Sequence, residues 1–136
     1  MKKILIIGSN SFAGSDFIDF LLKKNYMVFG VSRSKEYNKN YLRYTNNKNL
    51  KNFKFCKINL NIKKDINKLI QIINKKKIQY ICNFAAQGMV AESWINPGDW
   101  YTTNVVSNSI LIKKLSKLKI KKYLNFSTPE VYGHTP

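Results

Sequence analysis

The residues best suited to chemistry lie in a glycine turn near the start of the chain. The segment Gly8-Ser9-Asn10-Ser11-Phe12-Ala13-Gly14 separates an apolar run from an amphipathic one. At such a strand-to-helix turn, free backbone amides at the start of the helix can bind the pyrophosphate of a dinucleotide. Gly8 permits a tight turn, and Gly14 allows helix and strand to approach closely. We therefore predict a dinucleotide site, the alternative being an ordinary strand-to-helix turn.

The end of the second predicted strand indicates which dinucleotide is bound. An Asp or Glu at this point accepts hydrogen bonds from the ribose 2′-hydroxyl of NAD, but the chain has Ser32, Arg33 and Lys35 there instead. A guanidinium binds phosphate bidentately, so Arg33 favours the 2′-phosphate of NADP. We expect NADP as the cofactor. NAD stays possible, with Arg33 and Lys35 then ordinary surface cations.

The spacing of the turn resembles that of the extended short-chain dehydrogenase/reductase family, which contains the NAD-dependent epimerases and dehydratases. In most members the middle position of the turn is glycine, and here it is Ser11. The Asn-x-Ala-Ala-Gln segment that begins at Asn83 is particularly similar to GDP-mannose 4,6-dehydratases. The resemblance covers essentially the whole chain and implies a Rossmann-type fold.

The resemblance also implies which residues surround the cofactor. Asn59 occupies the position of a family Asp that contacts adenine, and an Asn can accept from the adenine amine. The implied cofactor-binding set is Gly8, Ser11, Phe12, Gly14, Ser32, Arg33, Asn59, Leu60, Ala85, Ala86, Gln87 and Asn104. Ser93 is implied to bind substrate. For Ser93 and Asn104, a helix cap and a polar helix face are the structural alternatives. No metal ligands are predicted.

The segment Ser127-Thr128-Pro129-Glu130-Val131-Tyr132-Gly133 resembles the catalytic segment of nucleotide-sugar 4,6-dehydratases. On this match, Thr128 polarises the sugar C4 oxygen and Glu130 removes the C5 proton. Pro129 replaces an Asp or a Ser of the family. In the enzymes with Asp, that residue protonates the departing C6 hydroxyl, and proline has no proton to give. Water, Glu130 or a later residue is then the acid, or the protein is not a 4,6-dehydratase.

Family members also carry a Tyr-x-x-x-Lys pair, which these 136 residues do not contain at the matching place. Tyr44 and Lys48 have the spacing by coincidence in a polar loop. We therefore expect residues 1–136 to form an NAD(P)-binding Rossmann domain that lacks the catalytic Tyr and Lys and the C-terminal substrate-binding region. Such a piece is expected to be inactive alone.

The implied function is that of an NADP-dependent nucleotide-sugar 4,6-dehydratase, a lyase of the GDP-mannose or dTDP-glucose type. The alternatives are an NAD(P)-dependent nucleotide-sugar 4-epimerase and a non-catalytic NADP-binding member. The expected partner is a nucleotide sugar. As a full-length protein, we expect a homodimer or homotetramer.

Apolar periodicity supplies the elements that would position these residues. Strands are predicted over residues 3–7, 27–31, 53–58, 78–84 and 123–126, with helices after the glycine turn, over about 66–77 and over 100–118. Residues 32–52 are predicted to form a long surface loop with a short helix near 37–44. Strands that alternate with helices give an α/β fold with a doubly wound parallel sheet.

Composition limits the classes that remain. The 136 residues are 44% hydrophobic, which suits one globular domain and is too apolar for a disordered coil. No apolar run reaches the ~18–20 residues of a membrane span, and no signal peptide is recognisable, so we expect a soluble cytoplasmic protein.

The net charge of +17 suggests nucleic acid or an anionic surface, but only Arg33 and Arg43 are arginines. We attribute the excess to lysines on solvated faces and expect no specific nucleic-acid binding and no membrane partner. Cys56 and Cys82 lie in apolar runs and are predicted to be buried, reduced thiols.

Overall fold

The computed structural model describes residues 1–133, except for the side chains of Pro129 and Glu130. Five parallel strands form a sheet of order β3-β2-β1-β4-β5 within these residues. They are β1 (Lys3–Ile7), β2 (Met27–Ser32), β3 (Phe53–Lys57), β4 (Tyr80–Asn83) and β5 (Lys122–Asn125). The predicted doubly wound α/β fold is confirmed, and each strand end lies within two residues of its predicted position.

The apolar run of β1 forms the centre of the sheet. Ile7 is in register with Val31 of β2 on one side and with Asn83 of β4 on the other. Because the chain order reverses at β1, the carboxyl ends of three strands meet at one point of the sheet edge. This is where open α/β sheets bind their ligands.

Helices cover both faces of the sheet. They are α1 (Phe12–Lys23), α2 (Lys63–Lys76), α3 (Val90–Ile95), α4 (Pro97–Trp100) and α5 (Ser107–Leu115). Ile6 packs in the core cluster that contains α1, whereas Leu5 and Ile7 pack in the cluster that contains α2 and α5. Successive side chains of a strand point to opposite faces, so α1 lies on one face and α2 and α5 lie on the other.

The predicted helix over 100–118 is a continuous helical stretch over residues 97–115. Its middle, Tyr101–Val106, is π-helical and joins α4 to α5. The sequence prediction missed α3, which has no buried residue and therefore no apolar stripe. Short π-helical segments are frequent at functional sites.

The loop after β2 differs from the surface loop that we predicted. It contains three 3₁₀ segments, Lys39–Tyr41, Arg43–Asn46 and Leu50–Asn52, the first of which lies within the range of the short helix predicted near 37–44. Leu42 and Tyr44 are buried against α1. The prediction was wrong here because two apolar residues in a polar, asparagine-rich segment give no periodic signal.

Both cysteines are free thiols, as predicted. They are only partly buried, which corrects the expectation of full burial. Partial burial raises the pKa of the Cys82 thiol. Within the described part of the chain, none of the helices has the length and apolar character that crossing a membrane requires.

Candidate cofactor cleft and active site

The turn after β1 requires glycine at position 8. Gly8 has a φ of +81°, and a Cβ there would lie 2.8 Å from the amide nitrogen of Ala85. The Gly8 N–H donates to the Val31 carbonyl over 2.8 Å, which holds the turn against β2. Gly8 is thus needed for its backbone conformation and for the close approach of the loop after β4.

Ser11, at the middle position of the turn, is the N-cap of α1. Its φ of −71° suits any residue, and its Oγ accepts from the Gly14 N–H over 3.0 Å and donates to the Gly8 carbonyl over 2.7 Å. A Cβ on Gly14 would lie 2.4 Å from the Gly8 carbonyl oxygen. Gly14 therefore allows the helix to approach the turn itself, and Ser11 fastens the two together.

A cleft of about 210 Å³ opens beside this turn, at the carboxyl ends of the strands. Nine of the predicted cofactor residues line it: Gly8, Ser11, Ser32, Arg33, Asn59, Leu60, Ala85, Ala86 and Gln87. Asn10, Ser34, Tyr37, Asn61 and Thr103 line it as well and were not predicted. The fold thus brings together residues that are more than 90 positions apart in sequence, such as Gly8 and Thr103.

Three predicted cofactor residues do not line the cleft: Phe12, Gly14 and Asn104, the last of which is described below. Gly14 is buried in α1. Phe12 is 78% exposed, and its ring lies 6.0 Å from the Arg43 guanidinium on the outer side of the helix. Phe12 can therefore serve the cleft only through its backbone.

The loop after β2 is attached to the glycine turn through Asn10. The Asn10 backbone N–H donates to Ser32 Oγ over 3.0 Å, and its Nδ2 donates to Ser34 Oγ over 3.1 Å and to the Lys35 carbonyl over 2.8 Å. Ser32 is buried and positions the turn. The exposed Arg33 lines the cleft, and no hydrogen bond or ion pair engages its guanidinium within residues 1–133. Arg33 is thus available to an anion.

Asn59 is fixed by its own loop. Its Oδ1 accepts from the Asn61 N–H over 3.1 Å, and its backbone N–H donates to Asp65 Oδ2 over 2.8 Å. The carbonyl oxygen keeps one lone pair for a further donor. Leu60 is 8% exposed and belongs largely to the core.

Asn104 lies in the π-helical segment and positions the loop after β4. Its Oδ1 accepts from the Gln87 N–H over 2.8 Å, and its Nδ2 donates to the Gln87 carbonyl over 3.0 Å. Asn104 does not itself line the cleft. These two hydrogen bonds give Asn104 a structural role, since they position the backbone of Gln87.

Asn83 links three elements below the cleft and was missed as a site residue. It is 1% exposed, and its Nδ2 lies within 3.1 Å of Asn108 Oδ1, the Tyr123 hydroxyl and Asn125 Oδ1. Its Oδ1 accepts from the Ala85 N–H over 3.0 Å. Burial raises the pKa of Tyr123, while the hydrogen bond from Asn83 opposes that shift. The network ties the cleft to β5.

Ser93 does not join the residues of the cleft. It lies in α3, and its Oγ donates to the Val90 carbonyl over 2.6 Å. This is a bond within the helix, so the substrate role predicted for Ser93 rests on the resemblance alone.

The segment that resembles a catalytic motif follows β5. Asn125 is in register with Asn83 of β4, and the exposed Thr128 comes three residues later, before a 3₁₀ segment over Pro129–Tyr132. The Thr128 carbonyl accepts from the Val131 N–H over 3.2 Å. The predicted base Glu130 has its side chain outside the described part of the structure.

Tyr44 and Lys48 are not a catalytic pair. The Tyr44 side chain is fully buried on the α1 face, and its hydroxyl donates to Glu36 Oε1 over 2.7 Å. Burial, together with Glu36, raises the pKa of Tyr44. A catalytic tyrosine needs the opposite shift and access to the cleft.

Comparison with known proteins identifies the family to which the chain is similar. The model of the GDP-mannose 4,6 dehydratase family matches residues 5–136. A dTDP-D-glucose 4,6-dehydratase of Dictyostelium discoideum is 33% identical over 98% of this chain and 30% of its own length. Protein CapI of Staphylococcus aureus is 29% identical over 96% of this chain and 39% of its length. The chain thus spans about a third of these relatives.

Two of the solved structures with the same fold are nucleotide-sugar 4-epimerases. The UDP-Glc/GlcNAc 4-epimerase of Campylobacter jejuni superposes with a TM-score of 0.82 at 26% identity, over 98% of this chain and 39% of that one. The UDP-glucose 4-epimerase of Bifidobacterium longum, in complex with NAD⁺ and UDP, gives a TM-score of 0.81 at 24% identity, over 97% and 38%. The latter likeness concerns the fold alone.

Proposed function

Because the chain belongs to the GDP-mannose 4,6 dehydratase family, among the NAD-dependent epimerases and dehydratases, we propose that it is the cofactor-binding part of an NADP-dependent nucleotide-sugar 4,6-dehydratase. The observation that carries the NADP preference is Arg33. Its guanidinium lines the cleft without a partner in the described residues, and the strand before it ends in Ser32 where NAD-binding proteins have a carboxylate.

The cleft suits a dinucleotide on its own geometry. The cleft lies beside the turn at Gly8, and the start of α1 after this turn offers backbone N–H groups to a pyrophosphate. Arg33 would hold the 2′-phosphate, while Asn59 would accept from the adenine. The bound cofactor would supply reversible hydride acceptance from the sugar C4. The small side chains of Ala85 and Ala86, which line the cleft, would let the cofactor pack against the backbone.

The residues after β5 would act on the sugar. In this proposal the Thr128 hydroxyl donates to the C4 oxygen, which stabilises the developing carbonyl. Glu130 accepts the C5 proton while the C6 hydroxyl departs with a proton from water or from Glu130 itself. A Tyr and a Lys outside these 136 residues would complete the oxidation at C4.

A nucleotide-sugar 4-epimerase is the second candidate, and Pro129 favours it. An epimerase exchanges hydride at C4 only, so it needs no acid at position 129 and no base at C5. The family match and the dehydratase relative favour elimination. Elimination would also give Glu130 a role, as the base at C5.

The cofactor preference can be tested on the chain itself. One charged hydrogen-bonded contact contributes ~1.5–3 kcal/mol, so we expect Arg33→Ala to weaken NADP(H) binding roughly ten- to a hundredfold. Binding of NAD(H) should change little, because it lacks the 2′-phosphate. Isothermal titration of both cofactors measures the two affinities.

Lys35→Ala is the matched control. This variant removes one positive charge, as Arg33→Ala does, but from Lys35, whose side chain does not line the cleft. The hydrogen bond from Asn10 to the Lys35 carbonyl is kept. We expect less than a threefold effect on NADP(H). Equal affinities of the unmutated chain for NADP(H) and NAD(H) would contradict the proposed preference.

A further inference from the structure

A second concave surface lies on the outer side of α1. This α1 groove, of about 1150 Å³, is formed by α1 and residues 39–49 of the loop after β2, and it shares no lining residue with the cofactor cleft. Its margins carry aromatic and basic side chains, namely Phe12, Lys39, Tyr41, Arg43 and Lys48. The sequence did not reveal this combination, since Phe12 is about 30 positions from the others.

On the loop side of the groove, buried and exposed side chains alternate along the chain, and the buried ones hold the loop in place. Leu42 and Tyr44 are buried in the core, so the intervening Arg43 and the preceding Tyr41 face outward. The loop is also bonded to α1: Asn47 Nδ2 donates to Asp19 Oδ1 over 2.7 Å, and Asn49 Nδ2 donates to the Leu22 carbonyl over 2.8 Å. The outward side chains therefore project from a fixed backbone.

The exposed aromatic rings are the unusual feature of the groove. Phe12 and Tyr41 are each 78% exposed, and the Arg43 guanidinium lies 6.0 Å from the Phe12 ring. Arg43 also pairs with Asp16 over 2.9 Å. Lys39 and Lys48 make no ion pair within the described residues, so their charges are available. Stacking faces beside free cations are what single-stranded nucleic acid uses.

We propose that the α1 groove binds single-stranded nucleic acid without sequence preference. Unpaired bases stack on Phe12 and Tyr41, and the phosphates between them contact Lys39 and Lys48. Every base has a stacking face, so such binding is sequence-blind. A duplex keeps its bases stacked inside and offers only phosphates.

Fluorescence anisotropy of labelled dodecamers tests the proposal on the 136-residue chain. Oligo-dT and a mixed sequence should bind alike, with a log–log salt slope of about −1.4 to −2.8 for two to four phosphate contacts. Tyr41→Ala and Phe12→Ala should each weaken binding roughly five- to a hundredfold. Lys39→Ala combined with Lys48→Ala should flatten the slope by about 1.4.

The matched control is Lys64→Ala combined with Lys68→Ala on α2, on the opposite face of the sheet. It removes the same charge and should change the affinity less than twofold. Equal losses in both double variants, unchanged binding of the aromatic variants, or equal affinity for a duplex dodecamer would overturn the proposal in favour of general polyanion attraction. Displacement by saturating NADP would overturn it in favour of the cofactor cleft. Melting curves verify that the variants fold.

Discussion

Asn10 joins the glycine turn to the loop that carries Arg33. The atom 2.8 Å from the Lys35 carbonyl must be the amide nitrogen, because a carbonyl oxygen only accepts. The Oδ1 of Asn10 is then buried without a hydrogen-bond partner in the described residues. A buried orphan acceptor costs about 1–3 kcal/mol. The fold tolerates this cost in order to tie the loop to the turn.

We therefore expect Asn10→Ala to lower NADP(H) affinity by roughly three- to tenfold by freeing the Arg33 loop. NAD(H) affinity should fall less. In an Arg33→Ala background the same change should have little further effect on NADP(H), because the two residues act on one phosphate contact. Isothermal titration of the four variants measures the coupling. Asn40→Ala, at an exposed site of the same loop, is the control, and fully additive effects would disprove the link.

At the scale of elements, the loop after β2 is stabilised by a buried tyrosine. Tyr44 packs against Phe53 with ring centroids 4.4 Å apart and donates to Glu36. Burial and then Glu36 raise the pKa of Tyr44 above its ordinary value of 10.0. The folded protein keeps the phenol proton where the unfolded chain releases it. This stabilisation is complete below about pH 10 and is lost as the pH rises further.

Tyr44→Phe should thus lower the free energy of unfolding by about 1–2 kcal/mol at pH 7, through the lost hydrogen bond to Glu36. The difference from the unmutated protein should shrink above pH 10. Urea titrations between pH 7 and pH 11 measure it, and subtraction cancels the common titration of the lysines. Tyr41→Phe, at an exposed ring, is the control and should leave the free energy of unfolding at pH 7 unchanged. A gap that widens above pH 10 would contradict the assigned burial.

The elements also explain how far sequence reasoning could reach. The central strand β1 was predictable because Leu5 packs under one helical layer and Ile6 under the other, which leaves a continuous apolar run. Gly8 and Arg33 were predictable because they stand at fixed positions after strands. Asn83 acts through bonds between distant elements, so no local pattern distinguishes it from the many solvated asparagines, and Asn104 was named only through the family resemblance. The π-helical segment around Asn104 was not predicted either.

At the scale of the whole molecule, the cofactor cleft and the segment with Thr128 lie at different positions along the same edge of the sheet. The cofactor cleft lies at the carboxyl ends of β1 and β2, while the segment with Thr128 leaves from β5, the strand beyond β4. Asn83 connects the two through Ala85 and Asn125. A dehydratase of the relatives' length would complete this edge with the Tyr and Lys. In the proposed reaction, oxidation at C4 would depend on those residues and Thr128, whereas elimination would depend on Glu130.

This division of roles gives a test in an enzyme of the relatives' length that contains this chain. A general base contributes typically ~10²–10⁴-fold, so Glu130→Gln should slow dehydration by about that factor. NADPH absorbance formed with nucleotide sugar in a single turnover should largely survive, because C4 oxidation does not use Glu130. Glu130→Asp keeps a carboxylate and should retain more dehydration than the Gln variant. If Glu130→Gln dehydrates at the unmutated rate, or if the unmutated enzyme only epimerises at C4, the 4-epimerase function replaces the dehydratase.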